Sequence, residues 1–600
     1  VIPELRRRVV DTRGRRVHLW WGGSGPTVVL LHGSPGNACL VKPLAQRLTP
    51  NFSVYAVDTP GFGGSDALPG PIVSVAQIAD AYLHILDALA LPRVLLYGTH
   101  SGAAIGLELA RRHPSRVSGF VLEGVPIFTP EEMQPLLAPE YLAAFEPELL
   151  GGHYTRTWTR FHDQFVWFPW YQRDSGHLLE ASAGSAADIH LWVDMYFRAA
   201  QHDYRPVYRT IIGYGEAAID AAREVSVPGV YMAERSDMLF THLDRLPPLR
   251  DGQRIERLME PSRVIERIEA ALLSLPPSAP PMPSTLGLSS ALGLPPTLGG
   301  PSMLGATPGV RPVLDRHTAS GVCFAPTDGP AREYFHDLPG GQMLVRSRDG
   351  SGTPLLLLHD APGAGRQLLD LYQALSARRP VLLPDLPGCG ESDPLEGAGA
   401  RDPCALADYA DAIAGLLAAR TNRAVPVHGI GFGAAVALEL NARHPHRVSA
   451  LFLTGVLRAP RAARRAMIGR LAPRISLAED GSHWYRTWLM LRDSLVRWPW
   501  YAREAGALRR PSVALDPEHL HAWTCDVMGQ WNSYHRLIDA VLEWDPDEAL
   551  VRGRDKLTVA LDSRHALHAA DLEWVAAGMG SVDLPDQAAD RARVLNSLPG

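Results

Sequence analysis

Short, almost wholly apolar runs separated by longer mixed stretches set the pattern of this chain. Val28 to Leu31, Val54 to Val57, Val94 to Tyr97 and Gly119 to Leu122 show little alternation of polar and apolar positions, which suits strands covered on both faces of a parallel sheet. Helical stretches lie between them, notably Ala103 to Arg112. Alternating strand and helix predict an α/β fold built on a mostly parallel, doubly wound sheet. Ligands of such sheets bind at the carboxyl ends of the strands. His32, Asp58, His100 and Glu123 fall at those ends.

The pattern is written twice. Pro26-Thr27-Val28-Val29-Leu30-Leu31-His32-Gly33-Ser34-Pro35-Gly36 returns as Pro354-Leu355-Leu356-Leu357-Leu358-His359-Asp360-Ala361-Pro362-Gly363. Asp58-Thr59-Pro60-Gly61-Phe62-Gly63 returns as Asp385-Leu386-Pro387-Gly388-Cys389-Gly390, and Gly98-Thr99-His100-Ser101-Gly102 as Gly429-Ile430-Gly431-Phe432-Gly433. So long a repeat predicts two complete folds in tandem, not a solenoid. We place the first domain at 1–275 and the second at 330–600, each long enough to bury its own core. The Pro-, Leu-, Gly- and Ser-rich stretch 276–329 between them reads as a semi-extended linker whose leucines have room to dock.

Composition adds few constraints. Lys and Arg total 58 against 64 Asp and Glu, a net charge of −6, and no basic cluster suggests a nucleic-acid partner. Five scattered cysteines form neither a disulfide framework nor a metal-ligand spacing; they favour a reducing, cytoplasmic setting with no metal and no cofactor. No apolar run is long enough to span a membrane. The chain begins at Val1, which leaves room for a removed leader.

The order His-Gly-x-Pro-Gly, Asp-x-Pro-Gly-x-Gly-x-Ser-Asp, a Gly-x-x-x-Gly turn and then a Trp-rich insertion resembles the α/β-hydrolase superfamily. Within it the likeness is to the epoxide-hydrolase and haloalkane-dehalogenase branch. The resemblance implies a helical cap over each pocket, near 130–215 and 460–540. It also implies a nucleophile at the centre of the sharp strand-to-helix turn. Here that centre is His100 in the first half and Gly431 in the second. The resemblance further implies a histidine before the last helix. The first half reads Ile255-Glu256-Arg257-Leu258-Met259-Glu260 there, and the second Val582-Asp583-Leu584-Pro585-Asp586. Neither half can assemble a nucleophile–His–acid triad in family order.

Other residues offer chemistry. His100 is a poor covalent nucleophile but a good base near neutral pH. Glu123 and Asp237 stand at the two strand ends where the family keeps its acid, and we expect Glu123 to orient His100. Gly33 and Ser34 fit the backbone approach to a substrate oxygen, whereas Asp360 at the place of Gly33 would repel a developing oxyanion. Ser101, one place past the elbow, is expected to point away from the pocket mouth. His153, Trp170 and Tyr171 in the first cap, matched by His483, Trp500 and Tyr501, read either as a lid over substrate or as packing.

Three functions remain open. One is an atypical, non-hydrolytic enzyme on a small organic substrate, with His100 as general base for proton abstraction, elimination, rearrangement or cyclisation and the second half structural. Another is a pseudoenzyme kept for ligand or partner binding. The last is a conventional epoxide, ester or haloalkane hydrolase. Tandem copies are also expected to pack as an intramolecular pseudo-dimer.

Overall fold

The computed structural model describes residues 5–179, 184–260, 263–278, 331–395, 404–509 and 515–597. From residue 279 onward, the linker and its leucines lie outside the described residues. The first half contains strands β1 (Arg6–Asp11), β2 (Arg16–Gly22), β3 (Thr27–Leu31), β4 (Ser53–Val57), β5 (Val94–Thr99), β6 (Val117–Glu123), β7 (Gly229–Glu234) and β8 (Gln253–Leu258). They form one sheet in the order β1-β2-β4-β3-β5-β6-β7-β8. The β1–β2 and β2–β4 pairs are antiparallel and the rest run parallel.

The second half repeats this plan. Its strands are β9 (Ala331–Leu338), β10 (Gly341–Arg348), β11 (Leu355–Leu358), β12 (Val381–Pro384), β13 (Val425–Ile430), β14 (Val448–Thr454), β15 (Leu557–Leu561) and β16 (Ser581–Asp583). Their order, β9-β10-β12-β11-β13-β14-β15-β16, is that of the first sheet. The apolar runs explain the centre of each sheet: every residue of β3, β4, β11 and β12 is buried. Helix Ser101–Arg112 begins directly after β5, and helix Phe432–Arg443 directly after β13.

Between β6 and β7 the chain leaves the sheet to build a cap that includes helices Gly152–Gln164 and Ala186–Ala200. Between β14 and β15 it does the same, with helices Ser482–Val496 and Pro517–Met528. The two caps share one apolar core, in which Tyr154, Trp158 and Phe197 of the first pack with Trp484, Trp488 and Leu520 of the second.

Contacts across this core occur in exchanged pairs. His153 Nε2 lies 3.3 Å from His521 Nδ1, and His483 Nε2 lies 3.4 Å from His190 Nδ1. Trp158 lies over Gly481, closer than a side chain at that glycine would permit, and Trp488 packs tightly over Gly151. The sheet edges also meet: the Arg7 N–H donates to Gln342 Oε1 at 2.6 Å, and the Arg7 guanidinium pairs with Asp393 at 2.7 Å.

Candidate active site

Strand β5 ends at Thr99, and the next residue turns sharply into the helix. His100 holds φ +51° and ψ −110°, and its counterpart Gly431 holds φ +55° and ψ −118°. Glycine adopts this backbone freely, whereas a histidine must be held there against strain. The His100 N–H bonds to the Glu123 carbonyl at 2.9 Å, which ties the turn to the end of β6.

The ring of His100 faces a cavity of about 610 Å³ beneath the first cap. Its Nε2–H donates to Asp237 Oδ2 at 2.8 Å, and Asp237 Oδ1 accepts the Leu239 N–H at 2.8 Å. Asp237 stands just past β7, so the imidazole meets the later of the two acid positions. Glu123, expected to orient His100, instead accepts the Tyr97 hydroxyl at 2.5 Å. The alternation of side chains at neighbouring strand ends explains the difference. Tyr97 and Glu123 lie on adjacent parallel strands β5 and β6, two residues apart in register.

Burial alone would lower the pKa of His100. The charge and hydrogen bond of Asp237, with a smaller contribution from Glu123, outweigh it and hold the group at about 8. Burial would likewise raise Asp237, but His100 and the Leu239 N–H keep it below the usual carboxylate range. Glu123 is pushed up, first by burial and then by the charge of Asp237, even though Tyr97 hydrogen-bonds to it. Because Nε2 carries the proton given to Asp237, Nδ1 holds the lone pair of the neutral ring.

Gly33, Ser34, Ser101, Glu123 and Asp237 all line this cavity with His100. Ser101 therefore does not turn away from it. The Ser101 hydroxyl accepts the Ser34 N–H at 3.2 Å and is buried. His153, Trp170 and Tyr171 do not line it. His153 is in the cap–cap interface, Trp170 stacks near Arg160 and Arg173, and the Tyr171 hydroxyl bonds to the Pro135 carbonyl. The aromatic wall comes instead from Phe128, Tyr141, Phe161, Phe165, Trp192 and Tyr208. No motif marks these residues, although Trp192 recurs as Trp523 in the repeat.

The second site is closed. Its void is about 20 Å³, room for about one water. Asp360 Oδ1 accepts the N–H of Ala361 at 2.8 Å and that of Phe432 at 2.9 Å. These donors are the counterparts of the Ser34 and Ser101 N–H groups. The carboxylate thus does more than repel an oxyanion, because it occupies that place itself. His565, in the position of Asp237, lies 3.6 Å from Asp360 Oδ2, beyond hydrogen-bond length.

The profile of the alpha/beta hydrolase fold family matches residues 26–152 and 353–493, one stretch in each half. The chain is a tandem α/β-hydrolase-fold protein. The tandem protein is 31% identical over 141 residues to pimeloyl-[acyl-carrier protein] methyl ester esterase of Aeromonas salmonicida, and 33% identical over 147 residues to the protein of that name from Yersinia enterocolitica. These matches take in 23% and 24% of this chain and 53% and 54% of theirs. The chain thus spans about half the length of the curated relatives it matches. Among solved structures it is similar to epoxide hydrolase A from Mycobacterium thermoresistibile, with 19% identity and a TM-score of 0.36, covering 46% of this chain and 100% of that one. An epoxide hydrolase mutant from Vigna radiata gives 18% identity and a TM-score of 0.35, covering 45% and 98%. Among the described residues, no helix is long and apolar enough to cross a membrane, and no cluster of three or more His, Cys, Asp or Glu is placed to hold a metal ion.

Proposed function

We propose that the first half is a non-hydrolytic proton-transfer catalyst for a small organic substrate, with His100 as general base and Asp237 as the acid that orients it. One observation carries the reading: a histidine kept in a strained elbow, 2.8 Å from a buried carboxylate, at the polar end of a 610 Å³ cavity. At the same backbone conformation the second half has glycine and no such cavity. A side chain retained against backbone strain at a cavity wall fits a working group better than a filler. Proton abstraction from carbon needs a base, an orienting acid and donors for the developing oxyanion, all of which line this cavity.

Hydrolysis through a covalent intermediate has less support, because neither elbow supplies Ser, Cys or Asp. In our reading the second half is a structural partner, and the two halves work as an intramolecular pseudo-dimer in a reducing cytoplasm. The test is incubation of the full chain in D2O with small apolar carbon acids, followed by mass spectrometry. Deuterium uptake at the acidic carbon should fall at least a hundredfold in His100→Ala. Equal uptake in the variant would overturn the reading.

A further inference from the structure

The net charge of −6 conceals a local opposition between the two halves. Where the first half leaves its sheet for the cap, residues 125–148 hold Glu131, Glu132, Glu140, Glu146 and Glu148 and no Asp, Lys or Arg. The corresponding residues 456–478 of the second half hold Arg458, Arg461, Arg464, Arg465, Arg470 and Arg474 and no Asp, Glu or Lys. One place shows the inversion directly. The register that matches Gly151 with Gly481 and Tyr171 with Tyr501 also matches Glu140 with Arg470. Burial and then the charge of Glu140 raise the Tyr171 phenol, whereas the Arg470 guanidinium lies 4.2 Å over the Tyr501 ring.

Both faces are open. Glu131, Glu140 and Glu146 are exposed, and so are Arg461, Arg465 and Arg470. Groups of the same half offset the charges only in part. Glu132 pairs with Arg245 at 2.6 Å, and Glu148 pairs with Arg156. Arg458 and Arg464 stand 3.8 and 4.0 Å from Asp547 and Asp545. Arg464 is buried on the same helix as the exposed Arg461 and Arg465. Its Nη1 donates to the Ala459 carbonyl, but its Nε and Nη2 have no hydrogen-bond partner among the described residues. A cation so poorly answered under the surface costs free energy that an approaching anion would recover. It is also less screened than a charge in water, which strengthens the field of the face.

The tandem repeat points to the partner. It gives the two faces one backbone plan, each opening on a seven-residue helix, Pro130–Leu136 and Arg461–Met467, but opposite charge. The acidic face of one molecule is therefore complementary to the basic face of another, while like faces repel. We propose that the arginine face of one copy docks the glutamate face of a second copy, a heterologous contact that joins molecules head to tail. Every molecule carries one face of each kind, so the partner is present wherever the protein is. Exposed charges carry the contact, which makes it weak, reversible and governed by salt. The faces attract over about 10 Å in 0.1 M salt and about 3 Å in 1 M salt.

The test is sedimentation velocity of the full chain in low and high salt. In roughly 20 mM salt the average mass should rise to at least twice the 65.4 kDa of one chain, and in roughly 500 mM salt it should return to that value. Replacing Arg461, Arg465 and Arg470 by Glu cancels the arginine face and keeps the glutamate face. Replacing Glu131, Glu140 and Glu146 by Arg does the reverse. Each variant alone should stay at 65.4 kDa in low salt. Mixed in equal amounts, the two should form pairs and stop there, because each brings one working face; a variant that had lost its fold would not pair. A wild-type chain that stays single in low salt would overturn the proposal. So would self-association that survives either triple substitution, or variants that remain apart when mixed. Polyglutamate binding to a chain that itself stays single would assign the arginine face to a foreign acidic protein, against this reading.

Discussion

Asp360 lies across the space that a side chain at Gly431 would need: a Cβ built there falls 2.0 Å from Asp360 Oδ1. The two positions are therefore locked together, since one residue can carry its carboxylate into the N–H pair only while the other carries nothing. Gly431→Ala forces the carboxylate out of two hydrogen bonds and puts alanine at φ +55°. We expect a loss of about 2 kcal/mol or more in stability, seen in chemical denaturation. Deuterium uptake in the first cavity should be unchanged. A stable Gly431→Ala protein would mean that Asp360 is not held as described.

The pairing of His100 with Asp237 sets a pH dependence. A base with pKa about 8 is mostly protonated at neutral pH, so proton abstraction should rise with pH through about 8. Asp237→Asn removes the charge that raises the imidazole and should move this limb down by roughly one to three units. Glu123→Gln, which removes a smaller contribution, should move it less. Equal profiles for wild type and Asp237→Asn would separate Asp237 from the chemistry.

The same pair makes a stability prediction whose sign follows from linkage. The folded pKa of about 8 exceeds the unfolded value of 6.5, so the folded protein holds the proton more tightly. The contribution is complete below pH 6.5 and is lost as pH rises through 8. Because 39% of the side chain is exposed, facing the cavity, the effect should be on the order of 1 kcal/mol. Melting of wild type and Asp237→Asn should converge above pH 9. A gap that persists there would have another cause.

Acid should act on the cap interface in the opposite sense. The Nδ1 atoms of His153 and His483 accept the Glu148 and Ala478 N–H groups, which puts the ring protons on Nε2, facing Nδ1 of His521 and His190. All four rings are neutral, and burial pulls His153 and His483 to about 4 and His521 to about 3, with His190 also lowered. Stability should be full above pH 6.5 and fall as pH drops from there towards 4, where the unfolded chain takes protons and the folded one does not. His153→Gln with His521→Gln should flatten that slope in denaturation series. An unchanged slope would place the acid sensitivity elsewhere.

Ser101 should be inert towards a fluorophosphonate probe. Its hydroxyl is buried against the Ser34 N–H and sits one residue beyond the elbow, with no imidazole hydrogen-bonded to it. Intact mass should show no adduct at this residue. A stoichiometric one would restore a conventional hydrolase.

The repeat, the strands and the missing triads were legible because they are matters of order along the chain: β3, β4, β5 and β6 enclose the apolar runs that foretold them. The partner of His100 was not. Glu123 ends β6 and Asp237 follows β7, and the choice between them turns on side-chain directions that spacing does not encode. His190 and His521 carry no motif and gain meaning only when the caps are docked. Asp360 was visible as an intruder in the oxyanion loop, but that it fills the N–H pair depends on backbone curvature around Gly431.

The exchanged contacts of the two caps, Trp158 over Gly481 and Trp488 over Gly151, are the pattern that identical subunits make with each other. In an assembly of identical subunits one gene writes every pocket, so no pocket can change without its twin. Joining the copies in one chain removes that bond. One pocket becomes free to fill with its own carboxylate while the other keeps an open cavity, and the shared aromatic seam is the inheritance common to both copies.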